Sequence, residues 1–266
     1  MGLATEVIVF KATNPGASAT AAAAVTGDSL TVRSFASTDY AKLEQLWRQG
    51  ATAGLVGIRS PVLHDVSRGI RFTTAETPSI MDMPRDVGQP LAPSDNLIAE
   101  LSGGTAEVDL GAMLIYYSNV LGIAANLYNW GDLRGSIGNI KPLQVAVTTN
   151  ATAGIWQDTI ITTTEDLLHA DRKYAVLGYL TDTAVLAVAI KGQETGNLRT
   201  GGPGTTVSFD TTDFFVRMSE RMGTPHIPIV SANNRGSINA CVSAVATSTA
   251  LNVMFILAEM APGWGA

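Results

Sequence analysis

The stretch Ala184-Val-Leu-Ala-Val-Ala-Ile-Lys191 decides the fold. It is short, apolar and rich in β-branched residues, which is typical of a buried β-strand. A weaker copy, Gly54-Leu-Val-Gly-Ile-Arg59, lies upstream, and 132 residues separate Ile58 from Ile190. This offset is far longer than the repeat of a solenoid or a propeller.

Two further pairs of segments recur in the same order. Asp28-Ser-Leu-Thr-Val32 is matched by Asp158-Thr-Ile-Ile-Thr162 at an offset of 130 residues. Met113-Leu-Ile-Tyr-Tyr-Ser118 is matched by Val253-Met-Phe-Ile-Leu-Ala258 at an offset of 140 residues. The order is kept while the loops differ in length, which indicates an internal duplication.

The duplication predicts two tandem domains, residues 1–125 and 126–266. The chain has 266 residues, so each half is long enough to bury its own core. Because the identity between the halves is low, one large β domain is the alternative.

Strand signals dominate the sequence. The predicted segments are β-branched or aromatic and are bounded by Gly, Pro, Asn or Thr. Many short strands with few long helices favour antiparallel sandwiches or barrels over a parallel α/β sheet. The predicted strands are Thr5–Phe10, Ser29–Ser34, Ala53–Arg59, Glu107–Tyr117, Leu143–Thr148, Thr159–Thr163, Tyr174–Leu180, Ala184–Ile190 and Asn252–Ala258.

One hairpin and a few short helices are also predicted. Only three residues separate Tyr174–Leu180 from Ala184–Ile190, which is typical of a β-hairpin. Thr212–Met222 has apolar residues at helical spacing, with Thr211 or Thr212 as N-cap and Gly223 at its end.

A second helix and a shorter helical match are predicted elsewhere. Asp39–Gln49 places Leu43, Leu46 and Trp47 on one helical face, and Glu165–Arg172 is a shorter match.

Three segments are predicted to be connections. Asn14–Thr26 is low in complexity and is expected to be a surface loop or arm. Thr77–Pro93 contains four prolines and is expected to be a long irregular loop. Asn119–Trp130 lies between the halves, and we expect an interdomain connector there, helical in one alternative.

Composition restricts the classes of function. Charged residues make up only 15% of the chain, well below the roughly 25% usual in soluble domains. Coverage of the surface by neighbouring subunits would explain this, and solvation by Thr, Ser, Asn and Gln is the alternative. The net charge is −6 and no run of Lys or Arg occurs, so a specific nucleic-acid ligand is not expected.

The N-terminal sequence and the hydropathy pattern predict a soluble protein made in the cytoplasm. No basic residue precedes Val7-Ile-Val-Phe10, so the pattern of a secretory signal is missing. The apolar run Leu251–Leu257 is too short to span a membrane.

No strong catalytic, metal or cofactor motif occurs in the sequence. The stretch Glu194–Gly204 is rich in glycine and could cradle an anion beside Arg199, but a shaped loop at a subunit contact is the preferred interpretation. His64, His169 and His226 lie in unlike contexts and are not expected to bind metal.

Carboxylates give the remaining candidates. Glu100, Glu107 and Asp109 lie close together, and strand alternation puts Glu107 and Asp109 on one face. Such a pair could bind a cation or act as acid and base, but a solvated strand face is preferred. The single Cys241 is expected to be a small core residue. We predict no catalytic, cofactor or metal residue.

Tandem β domains rich in Ala and Thr, poor in charge and without catalytic motifs resemble the double jelly-roll major capsid proteins of tailless icosahedral viruses. The resemblance covers nearly the whole chain but is architectural, because that family has no short diagnostic motif. It implies two eight-stranded jelly rolls side by side, three chains in a pseudo-hexagonal capsomer, and a helix before the last strands, where Thr212–Met222 lies. The proline-rich segment of the first half departs from this pattern.

The expected protein is therefore a non-enzymatic virion protein that self-assembles into a capsid shell, most simply the major capsid protein of a bacteriophage. Its expected partners are copies of itself, as a trimer, neighbouring capsomers and other virion proteins. A phage decoration, spike or tail protein and a tandem carbohydrate-binding module are the alternatives. An enzyme is a further alternative, in which Glu107, Asp109 and Arg199 would be the candidate residues.

Overall fold

The structure is a computed structural model. It describes residues 2–24, 30–35, 40–62, 69–74, 79–105, 108–120, 127–161, 168–204 and 211–264. The first half of the chain contributes nine of the strands found there. These are β1 Gly2–Thr13, β2 Thr20–Ala24, β3 Tyr40–Gln49, β4 Gly54–Arg59, β5 Ile70–Thr74, β6 Ser79–Asp82, β7 Gln89–Leu91, β8 Ile98–Leu101 and β9 Val108–Val120.

The second half also contributes nine strands within the described ranges. They are β10 Leu127–Tyr128, β11 Ile137–Thr148, β12 Gln157–Ile160, β13 Lys173–Thr181, β14 Val185–Lys191, β15 Thr200–Gly204, β16 Ile227–Ser231, β17 Asn239–Ser243 and β18 Ala250–Met260. The α-helices found in this part of the chain are α1 Trp130–Leu133 and α2 Phe214–Met222, and short 3-10 turns occur at Arg134–Ser136, Gln193–Thr195 and Ala232–Ser237. The protein is mainly β, as predicted.

The two halves share one strand order. In the second half, one sheet runs β16-β13-β18-β11 and the other β12-β17-β14-β15, with β10 added beside β16. In the first half, β5-β4-β8-β2 continues through β1-β9-β3-β6 as one path, and β7 pairs with β3. We leave out β7 and β10 and number the other eight strands of each half from one to eight along the chain. In both halves the strand order is then 5-4-7-2 in one sheet and 1-8-3-6 in the other. All pairs are antiparallel, and this eight-stranded double-sheet order is that of a jelly roll.

Each half packs its two sheets around an apolar core. In the first half, Ile8 and Phe10 of β1 and Met113 of β9 cluster with Val56 of β4 and Leu101 of β8. In the second half, strands of both sheets likewise contribute to one cluster. The chain therefore consists of two jelly-roll-like sandwiches in tandem. The predicted boundary after residue 125 lies outside the described residues.

The predicted helix at Asp39–Gln49 is wrong, because Tyr40–Gln49 is strand β3. A bulge between Leu43 and Gln45 inserts one extra residue into this strand. As a result, Leu43 and Leu46 point into the same core although they are three residues apart. The bulge therefore imitates the spacing of a helix.

The predicted hairpin is also wrong. β13 pairs with β16 and β18, whereas β14 pairs with β15 and β17 in the other sheet. The short link at Thr181–Ala184 therefore crosses from one sheet to the other, as jelly-roll connections do.

Two predicted connections contain strands. Within Asn14–Thr26, Thr20–Ala24 forms β2 and pairs with β1 and β8. Within Thr77–Pro93, β6 and β7 both pair with β3. Conversely, the described part of the predicted strand Ser29–Ser34 has one isolated bridge, from Thr31 to Asn96.

The predicted helix near Thr212–Met222 is confirmed as α2. Its N-cap is Asp213 rather than Thr211 or Thr212, and Gly223 ends it in the left-handed conformation. The described part of Glu165–Arg172 is irregular, and residues 162–167 lie outside the described ranges. In the Asn119–Trp130 connector the described residues before Trp130 are strand or irregular, and 121–126 lie outside those ranges.

Candidate functional site

The central strands of the first half are buried on both faces. On β1, Ile8 belongs to the core of the first half, while Val7 belongs to the cluster of the second half. On β9, Ile115 and Leu114 divide in the same way. An antiparallel sheet usually presents one face to water, so the second buried face marks an extensive contact. We call this contact the interface between the halves.

Strands β14 and β15 form the other side of this interface. The backbone N–H of Val7 donates to the carbonyl of Arg199 at 2.9 Å, and Thr200 Oγ1 donates to the carbonyl of Thr5 at 3.1 Å. The fully buried indole of Trp47 donates from Nε1 to the carbonyl of Leu186 at 2.7 Å. The edge of β15 is thus closed by the first half.

The glycines of the Glu194–Gly204 stretch allow β15 to pack closely against α2 and β14. Every residue of β15 is buried. A Cβ on Gly202 would lie 2.3 Å from the ring of Phe214, and one on Gly201 would lie 1.9 Å from the carbonyl oxygen of Val188. The glycine-rich stretch therefore serves a contact within this chain.

Arg199, in the middle of that stretch, forms an ion pair with Asp158. Its Nη2 lies 3.5 Å from Asp158 Oδ2, and Lys191 Nζ lies 3.0 Å from the same oxygen. The guanidinium also stacks over Trp156, with its carbon 5.1 Å from the ring centroid. Burial opposes ionisation of Asp158, but the charge of Arg199, with hydrogen bonds from Cys241 and Lys191, leaves its pKa lowered.

Cys241 is a fully buried core residue, as predicted. Burial and the neighbouring Asp158 carboxylate raise the pKa of its thiol well above the ordinary value. A thiol in this state is a poor nucleophile.

A second charged group lies at the interface between the halves. Glu44 Oε2 of β3 lies 2.5 Å from His226 Nε2, and His226 Nδ1 lies 2.7 Å from the carbonyl oxygen of Thr224. Lys42 Nζ lies 3.0 Å from Glu44 Oε1, and the side chains of Lys42, Glu44 and His226 are each at least 98% buried.

Tyr116 covers this charged group. Its ring lies 5.3 Å from that of His226 between centroids, and Lys42 Nζ lies 4.9 Å from its centroid. Burial first, and then the charge of Glu44, raise the pKa of the Tyr116 hydroxyl well above its ordinary value. These side chains therefore form a buried polar contact between the two halves, from which water is excluded.

The predicted solvated strand face at Asp109 is wrong. Asp109 is fully buried, and its Oδ1 accepts a hydrogen bond from Nη2 of the equally buried Arg48. Arg48 Nη1 also donates to the carbonyl of Thr52 at 2.8 Å. Glu100 pairs instead with Arg59 at 2.8 Å, and Glu107 lies outside the described residues. Of the described carboxylates, Asp109 and Glu100 each pair with a different arginine and do not form an acid–base pair with each other.

A cleft opens where α2 meets β3 and β6. It has a volume of about 450 Å³, and it is lined by Gln45, Ile80, Asp82, Arg85, Pro203, Phe214, Arg217, Met218, Glu220 and Arg221. Both halves contribute to its walls. Sequence reasoning missed this cleft, because its residues come from distant segments without any motif.

Two histidines remain among the sequence candidates. His169 lies in an irregular segment and His64 lies outside the described residues. Within the ranges that the structure describes, no group of three His, Cys, Asp or Glu side chains could hold a metal ion. In the same ranges, no helix is long and apolar enough to cross a membrane.

The tryptophans do not form an exposed platform. Trp47 and Trp156 are buried, and Trp130 and Trp264 are partly buried. Trp264 packs edge-on against Tyr128 at 5.2 Å between centroids. Carbohydrate-binding modules usually need exposed rings, so this placement disfavours that alternative.

The fold defines a tandem jelly-roll protein. No protein-family model and no curated protein matches the sequence. Among solved structures, the chain is similar to a crystal structure of the STIV MCP, a viral major capsid protein. The identity is 9%, the match covers 99% of this chain and 98% of that chain, and the TM-score is 0.21.

Proposed function

We propose that the protein is a virion structural protein that self-assembles into a capsid shell, as the major capsid protein of a bacteriophage. The observation that carries the proposal is the identical strand order of the two halves, 5-4-7-2 and 1-8-3-6, joined by a buried interface. A chain with two equivalent rigid blocks can fill two similar positions of a lattice. Closed rings of such chains follow from ordinary symmetric association.

The charged residues support a structural role. The pairs Arg48–Asp109 and Glu44–His226 are buried inside the protein, and none of their residues lines the cleft. These pairs hold neighbouring elements together, and neither pair combines a nucleophile with an activating base. On this basis the protein acts in the virion after synthesis in the host cytoplasm.

The partner surface that we propose includes β11. This strand pairs only with β18, so its other edge is open among the described strands. Its first residues are mostly exposed, and Ile140 is 48% exposed. An open edge with an exposed apolar side chain is a template for pairing with another chain.

Electron microscopy and mass measurement of the purified protein test the proposal. We expect trimers that associate into closed particles. A monodisperse monomer across a range of protein concentration, salt and pH would overturn it. Trimers that never form shells would favour a decoration, spike or tail protein.

A point variant tests the contact surface. Ile140→Asp should reduce assembly while leaving the melting temperature within a few degrees, because an exposed side chain contributes little to stability. The matched control is Val87→Asp on the β6–β7 turn, where the side chain is 56% exposed. Equal assembly by Ile140→Asp and the parent protein would exclude β11 from the contact.

A further inference from the structure

We propose that the cleft between α2, β3 and β6 binds a small amphipathic anion, with a carboxylate or similar acidic group on an apolar body. This activity is separate from assembly and does not depend on it. A volume of about 450 Å³ lies within the range of small-molecule sites.

The apolar part of the ligand has a defined place. Ile80 of β6 is 38% exposed, and Phe214 and Met218 form one face of α2 behind it. Pro203 of β15 completes this wall without a backbone donor. Such a wall favours an alkyl or aromatic body over a fully hydrated ion.

The acidic part of the ligand faces arginines. Three arginines line the cleft together with Asp82 and Glu220, and each arginine has one ion-pair partner among the described residues: Asp86 for Arg85, Asp213 for Arg217 and Asp82 for Arg221. A guanidinium has five N–H donors, and among the described contacts Arg217 uses Nε on Asp213 at 2.6 Å. Arg221 uses Nη2 on the carbonyl of Met83 at 3.1 Å, and the same nitrogen lies 3.7 Å from Asp82 Oδ2. Further donors of both side chains are therefore open to an anion.

Two buried polar atoms of the lining have no partner among the described residues. They are Gln45 Oε1 and Arg221 Nε. Gln45 is only 6% exposed, and its Nε2 already donates to Asp82 Oδ1 at 2.7 Å. Buried polar atoms are rarely left unpaired, so the donor Arg221 Nε is available to an anion, whereas Gln45 Oε1 can only accept and would take a donor group of the ligand.

Isothermal titration of the purified protein with decanoate, decanol and decyltrimethylammonium tests the proposal. We expect saturable binding of one decanoate per chain, binding of decanol that is weaker by about tenfold or more, and no saturable binding of the cation. Equal binding of all three probes would indicate adsorption to apolar surface and would overturn the proposal. An absence of saturable decanoate binding would overturn it as well.

Matched variants locate the site. Ile80→Asp and Arg217→Gln should each weaken decanoate binding by about tenfold. The controls are Ile160→Asp, at a side chain that is 48% exposed, and Arg134→Gln, at an exposed residue away from the cleft. Arg217 is 42% exposed, so its replacement should leave folding intact, and a melting curve checks this. Decanoate binding that is unchanged in both cleft variants would exclude this cleft.

Discussion

Asp109 is a charged residue in an alternating strand pattern that predicts exposure, yet its side chain is buried. Alternation along a strand is compatible with a solvated face or with a charged partner inside the protein, and the local sequence does not distinguish them. The partner, Arg48, lies on β3 and is 61 residues away along the chain. A buried carboxylate needs such a partner, since an isolated charge in the interior is costly.

Replacement of Asp109 by Ala should be strongly destabilising, by about 3–5 kcal/mol, because Arg48 would be left as an unpaired buried charge. Chemical denaturation monitored by circular dichroism measures this. The control is Asp213→Ala, which removes the exposed pair with Arg217 and should cost about 0.5 kcal/mol or less. A double variant, Arg48→Met with Asp109→Leu, should recover part of the loss. A loss below that of the control would show that the pair is not buried.

Asp158 links stability to pH. Its pKa is lowered in the folded protein, chiefly by Arg199 acting against the effect of burial. A carboxyl with a lowered folded pKa adds stability above its unfolded pKa of about 3.9, and this stability is lost as pH falls through the folded value. The advantage of the parent protein over Asp158→Asn should therefore be largest near neutral pH and shrink in acid. Denaturation midpoints from pH 7 to pH 3 measure it, with exposed Asp132→Asn as control, and a constant difference would contradict the linkage.

At the scale of elements, the location of strands could be predicted better than their pairing. The segments around β4, β9, β13, β14 and β18 were all identifiable from composition, because buried strands need β-branched and aromatic side chains. Pairing depends on contacts between distant residues. β13 and β14 are neighbours in sequence but lie in different sheets, and a three-residue link carries no signal of that.

Irregular features explain the other errors at this scale. The bulge of β3 gives Leu43 and Leu46 a helical spacing inside a strand. β2 consists of Thr and Ala only, so it lacks the bulky side chains that predict a strand. Its pairing with β1 and β8 stabilises it, which is a tertiary effect.

Gly178 of β13 lies where the backbone before α2 packs against this strand. A Cβ at Gly178 would lie 2.2 Å from the carbonyl oxygen of Thr211 and 2.4 Å from that of Thr212, both of them backbone atoms. Gly178→Ala should therefore cost about 1–3 kcal/mol, since the backbone before α2 must shift. Gly138→Ala on β11 is the control, because its nearest contact is 3.6 Å from a carbonyl oxygen. Thermal unfolding measures both, and an equal effect would show that α2 does not press on β13.

At the scale of the molecule, the sequence shows the duplication, but one of the three segment pairs matches segments that are not equivalent in the fold. The pairs that contain β4 with β14, and β9 with β18, occupy equivalent places in the strand order. The counterpart of β12 is β2 rather than the Asp28–Val32 segment. The interface and the cleft could not be predicted, because both depend on how the halves are placed together.

The interface should make the halves unfold as one unit. Domains move and unfold independently when their contact is small and polar, but here the central sheet of the first half is buried on its second face by the second half. We expect one calorimetric transition for the unassembled chain, with equal calorimetric and van't Hoff enthalpies. Trp47→Ala should lower the stability of that single transition by about 3–5 kcal/mol, because a fully buried indole and its hydrogen bond to Leu186 are removed. The control is Trp264→Ala, where the ring is only partly buried, and its effect should be smaller. Two separate transitions, of which Trp47→Ala shifts only one, would show that the halves are independent and that the chain is not a rigid block.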